Sequence, residues 1–210
     1  AHRRDEHPQH VGEDHRQQRE AEVREEMLRH GGNRGILSGG QHQRLATLAG
    51  NHIADSGPNG IEDTIETLQS LGIQTTGAGM SLGAARQPAV VTQKGTRVGV
   101  LSYNCVGPKD SWATSKKAGC AFVKVLTHYE LDHASPGGPP TIYTFPAPES
   151  VEQMEADIAQ LKKQCDVTVV AMHKGVGHTP AKIEMYERAV AKAAIDAGAD
   201  VVIGHHAHIM

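Results

Sequence analysis

The alternation of strand-like and helix-like segments after residue 44 is the feature that most constrains how this chain can fold. Short runs of Val, Ile, Ala and Leu predict strands, and longer stretches with apolar residues three and four apart predict helices. The predicted strands are 45–49, 89–91, 97–103, 167–172 and 201–203, and the predicted helices are 60–70, 151–164 and 180–197. Strands that alternate with helices are typical of an α/β domain.

A long connection, residues 106–148, interrupts this alternation. It reads as irregular and carries a Pro-Gly-Gly-Pro-Pro run at 136–140. Connections of this length inside a compact domain are usually functional or disordered. We expect it to overhang the sheet edge that carries the histidines described below. We therefore predict a lid, with a merely mobile insertion as the alternative.

The first 44 residues differ sharply from the rest of the chain. They are rich in His, Arg, Gln and Glu and poor in large aliphatic residues, and no aromatic residue precedes Tyr103. We interpret 1–44 as a disordered or loosely attached segment and 45–210 as the folded domain. The abrupt change of composition leaves a second interpretation open, in which 1–44 results from a shifted reading frame.

Composition excludes several classes of partner. A formal net charge of −3 gives no basic surface for a nucleic acid. The sequence contains no run of eighteen apolar residues, so we expect no membrane span. It also lacks the apolar region of a signal peptide, and its three cysteines have no metal-type spacing. These observations favour reduced thiols and a cytoplasmic location.

Polar residues follow three of the predicted strands. Asn51 and His52 come after the first strand, His173 follows 167–172, and a cluster containing His205, His206 and His208 follows 201–203. Open α/β sheets place their sites at the carboxyl ends of strands, where these loops meet. Each feature alone has a structural explanation, such as a helix cap for Asn-His or a hydrogen-bonded histidine at a strand end. Together they predict a metal site.

The spacing of His206 and His208 supports this prediction. Residues two apart in an extended chain face the same side, so both imidazoles could address one ion. Neutral imidazole suits divalent transition metals, and we expect Mn, Zn or Fe without being able to choose among them. No cysteine is placed to complete a closed structural zinc site. The pattern therefore favours an open catalytic site.

Several separated motifs resemble one protein family and occur in that family's order. The motifs are LAGNH (48–52), GIEDTIETLQSLGI (60–73), GAG (77–79), ARQPAVV (85–91), RVGVLSYN (97–104), VVAMHKG (169–175) and AAIDAGADVVIGHHAHIM (193–210). The order resembles that of the bacterial CapA-like proteins of poly-γ-glutamate capsule synthesis, which are related to calcineurin-like metallophosphoesterases. The resemblance covers residues 45–210.

The resemblance implies an α/β fold of the metallophosphatase-like type, in which two sheets form a sandwich flanked by helices. It also implies a role for each candidate residue. Asn51, His173, His206 and His208 would bind the metal, and His52 and His205 would be catalytic. His52 would protonate the leaving group or polarise the scissile bond, and His205 would stand beside the ligands or face the substrate. A bound metal would supply hydroxide near neutral pH.

This chain departs from the family pattern in three places. The family's Gly-Asp and Asn-x-Glu motifs, which would normally complete the metal site, are not recognisable in 1–44. The sequence stops at Met210, so we expect a domain truncated at one or both ends. Lys174 follows His173, where many relatives have Trp. Together with His178, Lys174 could bind the anionic group of a substrate, although a solvated loop lysine is the simpler interpretation.

Two functions from different classes remain open. The first is a metal-dependent hydrolase that acts on a phosphoester or a γ-glutamyl, amide-like bond of a small-molecule or polyglutamate-like substrate. The second is a non-catalytic component of capsule synthesis or export that keeps the fold and loses part of the metal site. A third idea, that His2, His7, His10 and His15 bind metal for storage or sensing, has no recognisable ligand spacing to support it.

Overall fold

The computed structural model describes residues 43–179 and 182–208. The segment 1–42, on which most of the predicted N-terminal region falls, lies outside the described residues. The strands in chain order are β1 (Arg44–Thr47), β2 (Ile73–Thr76), β3 (Ala78–Gly79), β4 (Ala89–Gln93), β5 (Thr96–Asn104), β6 (Gly119–Cys120), β7 (Val125–Glu130), β8 (Thr141–Pro146), β9 (Val167–Lys174) and β10 (Val201–His206). The α-helices are α1 (Gly57–Ser70), α2 (Leu82–Ala85), α3 (Pro148–Lys162) and α4 (Met185–Asp196), and a 3₁₀ turn covers Lys109–Ser111.

The largest sheet of the described residues has four strands in the order β10-β9-β5-β4. Strands β5, β9 and β10 are parallel, as expected when helical crossovers connect them. Strand β4 pairs with β5 in the antiparallel direction. The turn between them has φ of 50° at Lys94 and 85° at Gly95, the left-handed pair that a tight hairpin turn needs.

The core lies between this sheet and the helices α3 and α4. Helix α3 begins at Pro148, whose fixed φ suits the first helical turn, and it buries Met154, Ile158 and Leu161 almost completely. These residues are four and three apart and therefore share one face. Burying each such side chain stabilises the fold by about 1.5–3 kcal/mol. The packing of α3 fixes β5 and β9, whose carboxyl ends carry the site.

A second, two-stranded parallel sheet joins β1 to β2. Its end comes very close to β5 at Gly77, where a Cβ atom would lie 2.8 Å from the backbone nitrogen of Ala49 and 2.8 Å from Cβ of Ser102. Only glycine permits this approach. The contact brings the segment after β1, which contains Asn51, to the carboxyl end of the main sheet.

The connection 106–148 is more regular than the sequence pattern indicates. Strands β7 and β8 form an antiparallel hairpin, with Val125 opposite Pro146 and Glu130 opposite Thr141. The prediction of a fully irregular stretch is therefore wrong, because the alternating Thr, Tyr and β-branched residues here favour strands. The hairpin lies against α4, since Thr144 contacts both Glu184 and the backbone of Tyr186.

The α/β class predicted from the sequence is confirmed: the described residues form a mixed structure of sheets and four α-helices. The two-sheet sandwich stays an expectation. The helix expected over 180–197 begins later, at Met185, after a capping box between Glu184 and Glu187. In the part of the chain that the structure covers, no helix combines the length and the apolar character that crossing a membrane requires.

Candidate metal centre

The carboxyl ends of three parallel strands lie level with one another. Asn104 of β5 pairs with His173 of β9, which pairs with His205 of β10. Paired residues of neighbouring strands point to the same face of a sheet, so these three side chains form a row. The convergence of strand ends that the sequence predicts is therefore present. We call Asn51, His173, His178, His205, His206 and His208 the histidine cluster.

Two short hydrogen bonds connect Asn51, His173 and His205. His173 Nε2 lies 2.7 Å from Asn51 Oδ1, and His173 Nδ1 lies 2.8 Å from Nδ1 of His205. A carbonyl oxygen can only accept, so Nε2 of His173 is the donor towards Asn51. A neutral His173 then accepts at Nδ1, and His205 donates its Nδ1 proton. This assignment leaves Nε2 of His205 with a free lone pair.

His206 departs from regular strand geometry. In a continuous strand it would face away from His205, but its φ of 109° turns the backbone. Its ring lies 4.5 Å from the ring of His173, measured between centroids. The Nδ1 atom of His206 is buried and has no hydrogen-bond partner. A buried polar atom without a partner is costly, and such an atom inside a cluster of possible ligands needs an explanation.

His178 and His208 face each other across two loops. Their rings stack at a centroid distance of 5.0 Å, and both residues are left-handed, with φ of 57° and 58°. The backbone N–H of His178 donates to the carbonyl of Ala207 at 2.9 Å. The ring of His208 also lies 5.4 Å from that of His206. Because β10 ends at His206, the extended geometry assumed for His206 and His208 does not apply, although their rings are still neighbours.

The environment keeps the central imidazoles neutral. Burial, followed by the proximity of His205 and His206, lowers the pKa of His173 to about 4. The pKa values of His205 and His206 are also lowered, in both cases chiefly by burial. Crowded imidazoles resist protonation because each added charge would repel the next. Near neutral pH these rings therefore retain the lone pairs that a metal requires.

His52 lies at the surface beside Asp55. Its side chain is 80% exposed, and its Nδ1 lies 2.8 Å from the Asp55 carboxylate. Since the carboxylate accepts, Nδ1 carries the proton and Nε2 is the free nitrogen of the neutral ring. Asp55 thereby fixes the orientation and tautomer of a predicted catalytic residue. The His-x-x-Asp spacing within the turn after β1 is a sequence signal for the contact between His52 and Asp55, which the prediction of His52 does not include.

Lys174, predicted to bind the substrate, is engaged elsewhere. Its ammonium lies 2.8 Å from the carboxylate of Glu187 on α4, and the two side chains are 18% and 7% exposed. Glu187 also accepts the backbone N–H of Glu184 in the capping box. The lysine therefore contributes to the attachment of β9 to α4. A role in binding the substrate stays a prediction, as it does for His178, whose side chain is exposed.

The donor atoms of the cluster suit a divalent transition metal, but their arrangement is not that of a ready ligand cage. Among residues 43–179 and 182–208, no group of three or more His, Cys, Asp or Glu side chains is positioned to hold an ion. Two ligands of one zinc ion, each about 2.0–2.1 Å from it, lie roughly 3.3 Å apart. The Asn51–His173 and His173–His205 distances are shorter, at 2.7 and 2.8 Å. Binding would replace these hydrogen bonds and provide a partner for His206 Nδ1.

Two further residues that the sequence analysis did not single out support the cluster. Asn104 is completely buried, and its Oδ1 accepts the N–H of Val106 at 3.0 Å. Gly107, with φ of 84°, lies directly against Asn51. An Asn directly after the predicted strand, with Gly-Pro three residues later, is the available sequence signal, although it also occurs in ordinary turns.

Comparison with known families places these observations in context. The family model described as bacterial capsule synthesis protein matches residues 40–210. The chain is 32% identical over 170 residues to a probable polyglutamine synthesis accessory protein of Mycobacterium tuberculosis H37Rv. The matched region covers 78% of this chain and 39% of that relative.

Two Bacillus proteins are also similar to the chain. It is 30% identical over 165 residues to the PGA biosynthesis protein CapA of Bacillus subtilis, covering 77% of this chain and 36% of the relative. It is 26% identical over 166 residues to the capsule biosynthesis protein CapA of Bacillus anthracis, covering 79% and 35%. The chain thus spans less than two fifths of the length of each of these relatives.

Proposed function

The chain belongs to the bacterial capsule synthesis protein family, and from this premise and the geometry of the histidine cluster we propose that it is a metal-dependent hydrolase. The proposed substrate is anionic, and the bond broken is a phosphoester or a γ-glutamyl amide. The names of the Bacillus relatives place those proteins in capsule or PGA biosynthesis. The second bond type follows from that association and the first from the resemblance to metallophosphoesterases.

Backbone strain within the histidine cluster is the observation that carries this proposal. Of the described residues other than glycine, four have positive φ, and three of them are His178, His206 and His208. The fourth, Lys94, lies in a hairpin turn where such φ values are ordinary. Holding a residue other than glycine at positive φ costs on the order of 1–3 kcal/mol, and such strain is concentrated at functional sites. The cost is explained if the three imidazoles must point to a ligand.

We assign the metal to Asn51, His173, His206 and His208, with Mn, Zn or Fe as the candidates. When bound, the ion would supply Lewis acidity at the scissile bond and lower the pKa of water. Before the metal binds, Asn51 orients His173 through the 2.7 Å contact with Nε2, and binding would replace this hydrogen bond. The unpartnered Nδ1 of His206 offers a lone pair with no competing hydrogen bond.

The two catalytic histidines handle protons at named atoms. In the metal-free arrangement His205 donates from Nδ1 to His173, which leaves its Nε2 as the nitrogen that can accept a proton. His52 donates from Nδ1 to Asp55, which leaves Nε2 as the nitrogen that would exchange a proton with a leaving group. Lys174 would contact the anion only after separating from Glu187, so the exposed His178 is the more accessible of the two predicted binding residues.

A second candidate function is a non-catalytic component of polymer synthesis or export. It is favoured by the absence, within the described part of the chain, of three grouped ligands. The Mycobacterium tuberculosis relative is itself named an accessory protein. In this case the cluster would hold the strand ends together through the Asn51–His173–His205 hydrogen bonds and would not turn over a substrate.

Metal content distinguishes the two candidates. The protein would be loaded with Mn²⁺, Zn²⁺ or Fe²⁺ in turn, desalted and measured by elemental analysis. We expect near-stoichiometric metal in the unaltered chain and its loss in His206→Ala/His208→Ala. The matched control is His128→Ala/His133→Ala, which removes two exposed histidines of the β7–β8 hairpin and its tip. It should retain the metal and also corrects for weak binding by other histidines.

Hydrolysis is then assayed with a chromogenic phosphomonoester and a γ-glutamyl anilide. Turnover of either substrate that disappears in the cluster variant and persists in the control supports the hydrolase. No metal in the unaltered chain, with any of the three ions, would reject the metal-dependent proposal in favour of the accessory role. Bound metal without turnover of either substrate would reject the two bond types named here.

A further inference from the structure

The loop that follows β5 crosses directly over Asn51. A Cβ atom at Gly107 would lie 2.3 Å from Cβ and 3.3 Å from Cα of Asn51. Contacts under 3 Å between such atoms essentially never occur, so the two residues cannot both carry a Cβ in this arrangement. The absence of a side chain at residue 107 is therefore a requirement for the observed place of Asn51.

The loop itself has little freedom to give way. The N–H of Cys105 donates to the carbonyl of His173 at 2.9 Å, and the N–H of Val106 donates to Oδ1 of Asn104 at 3.0 Å. Asn104 is fully buried, so moving the loop would leave a buried carbonyl oxygen without a partner. Pro108 then fixes the backbone on the far side of Gly107. A side chain at 107 would displace Asn51 more readily than it would displace the loop.

Displacing Asn51 has a chemical consequence. Asn51 Oδ1 is the acceptor for Nε2 of His173, and this bond determines which nitrogen of His173 carries the proton. Without it, the ring is free to change its tautomer or rotate, and the hydrogen bond from His205 is no longer fixed. In the function proposed above, Asn51 is itself assigned to the metal, so its displacement should weaken metal binding at least by the roughly 10- to 100-fold that is typical of residues that only orient a ligand.

We propose that Gly107 is a positioning residue: by leaving space for Asn51, it fixes the orientation and tautomer of His173. The relevance of this to catalysis rests on the function proposed above. The contact between Gly107 and Asn51 does not depend on that function, because it lies within the protein alone.

The chain provides a closely matched control. Gly95 has φ of 85°, against 84° for Gly107, but a Cβ atom at Gly95 would meet nothing within 4 Å. Gly95→Ala therefore introduces the same backbone strain without the collision, and comparison with Gly107→Ala isolates the contact with Asn51. A third variant, Asn51→Gly/Gly107→Ala, removes the atom that the new Cβ would strike.

The first readout is the imidazole nitrogen spectrum of His173, measured by NMR on the metal-free full chain and assigned with His173→Gln. We expect Gly95→Ala to match the unaltered protein. Gly107→Ala should instead show the altered tautomer balance that Asn51→Ala produces. If Gly107→Ala gives the same His173 signals as Gly95→Ala, the inference is overturned.

Two further outcomes are decisive. If Gly107→Ala does not fold, the inference predicts that Asn51→Gly/Gly107→Ala does, and failure of both with a folded Gly95→Ala would overturn it. The second readout, calorimetric titration with Mn²⁺ or Zn²⁺, should show affinity about 10- to 100-fold weaker in Gly107→Ala than in Gly95→Ala. If the unaltered chain binds no metal, the proposed function fails, while the NMR comparison still decides the role of Gly107.

Discussion

Replacing Lys174 by Met tests whether this residue holds the fold together or is free to bind an anion. The ammonium of Lys174 lies 2.8 Å from Glu187, whose side chain is only 7% exposed. Removing one partner of a buried pair costs about 3–5 kcal/mol because it strands the other charge. The second oxygen of Glu187 still accepts the N–H of Glu184, and Lys174 is 18% exposed. We therefore expect a loss near the lower limit, about 3 kcal/mol.

Urea unfolding followed by circular dichroism measures this loss, with an unchanged m value as the sign of intact two-state behaviour. Lys174→Met/Glu187→Gln should recover most of it, because glutamine removes the stranded charge and still completes the capping box. Lys192→Met is the surface control: its pair with Asp196 is 75% and 58% exposed, and its loss should cost no more than about 0.5 kcal/mol. If Lys174→Met costs no more than Lys192→Met, the structural role is refuted and Lys174 is available for the substrate.

Two other predictions concern Tyr103, which is buried, and His173, which is partly buried. Tyr103→Phe removes the 2.9 Å hydrogen bond from the hydroxyl to the Asp157 carboxylate and should destabilise the protein by about 1.5–3 kcal/mol in the same urea assay. Arg86 also donates to both oxygens of Asp157, from Nε and Nη2, and no change would mean that this pair satisfies Asp157 alone. Burial and neighbouring imidazoles lower the pKa of His173 from 6.5 to about 4. Between these two pH values, the unfolded chain without metal therefore binds more protons than the folded chain does. The free energy of unfolding should be at its full value above pH 6.5 and fall as the pH drops towards 4. Unfolding midpoints measured with EDTA across this range should show a shallower decline for His173→Gln, and an equal decline would contradict the assignment.

Much of the fold can be predicted because two of its parallel strands, β5 and β9, are largely buried. The run at 167–172 consists of Val, Ala and Met apart from one Thr, which is typical of a strand covered on both faces. Strands β5 and β9 accordingly appear where the sequence places them, and β10 begins at the predicted residue 201 although most of it is exposed. The expected start of α4 at residue 180 is wrong because the Pro was read as a helix start. The helix begins at Met185 because Glu184 and Glu187 form a capping box. The buried Glu187 is paired with Lys174, which lies more than ten residues earlier in the chain.

The site is only partly readable from the sequence for a related reason. Strand ends determine that Asn51, His173 and His205 converge, and local patterns reveal strand ends. The φ of 109° at His206 has no local signature in the sequence. Gly107 has no local signature either, because its importance comes from Asn51, 56 positions away in sequence. The pairing of Lys174 likewise depends on Glu187, which lies more than ten residues later in the chain.

The level pairing of Asn104, His173 and His205 also limits where this domain can change its length. A one-residue insertion within β9 before His173 would turn the imidazole to the opposite face of the sheet. A two-residue insertion would restore the face but shift the ring by about 6.6 Å, beyond the reach of Asn51. The tip of the β7–β8 hairpin carries no such constraint, since doubling a loop costs only about 0.6 kcal/mol. Tags, linkers or grafted peptides should therefore be tolerated between residues 131 and 140, while the three parallel strands β5, β9 and β10 accept substitutions but not a change in residue count.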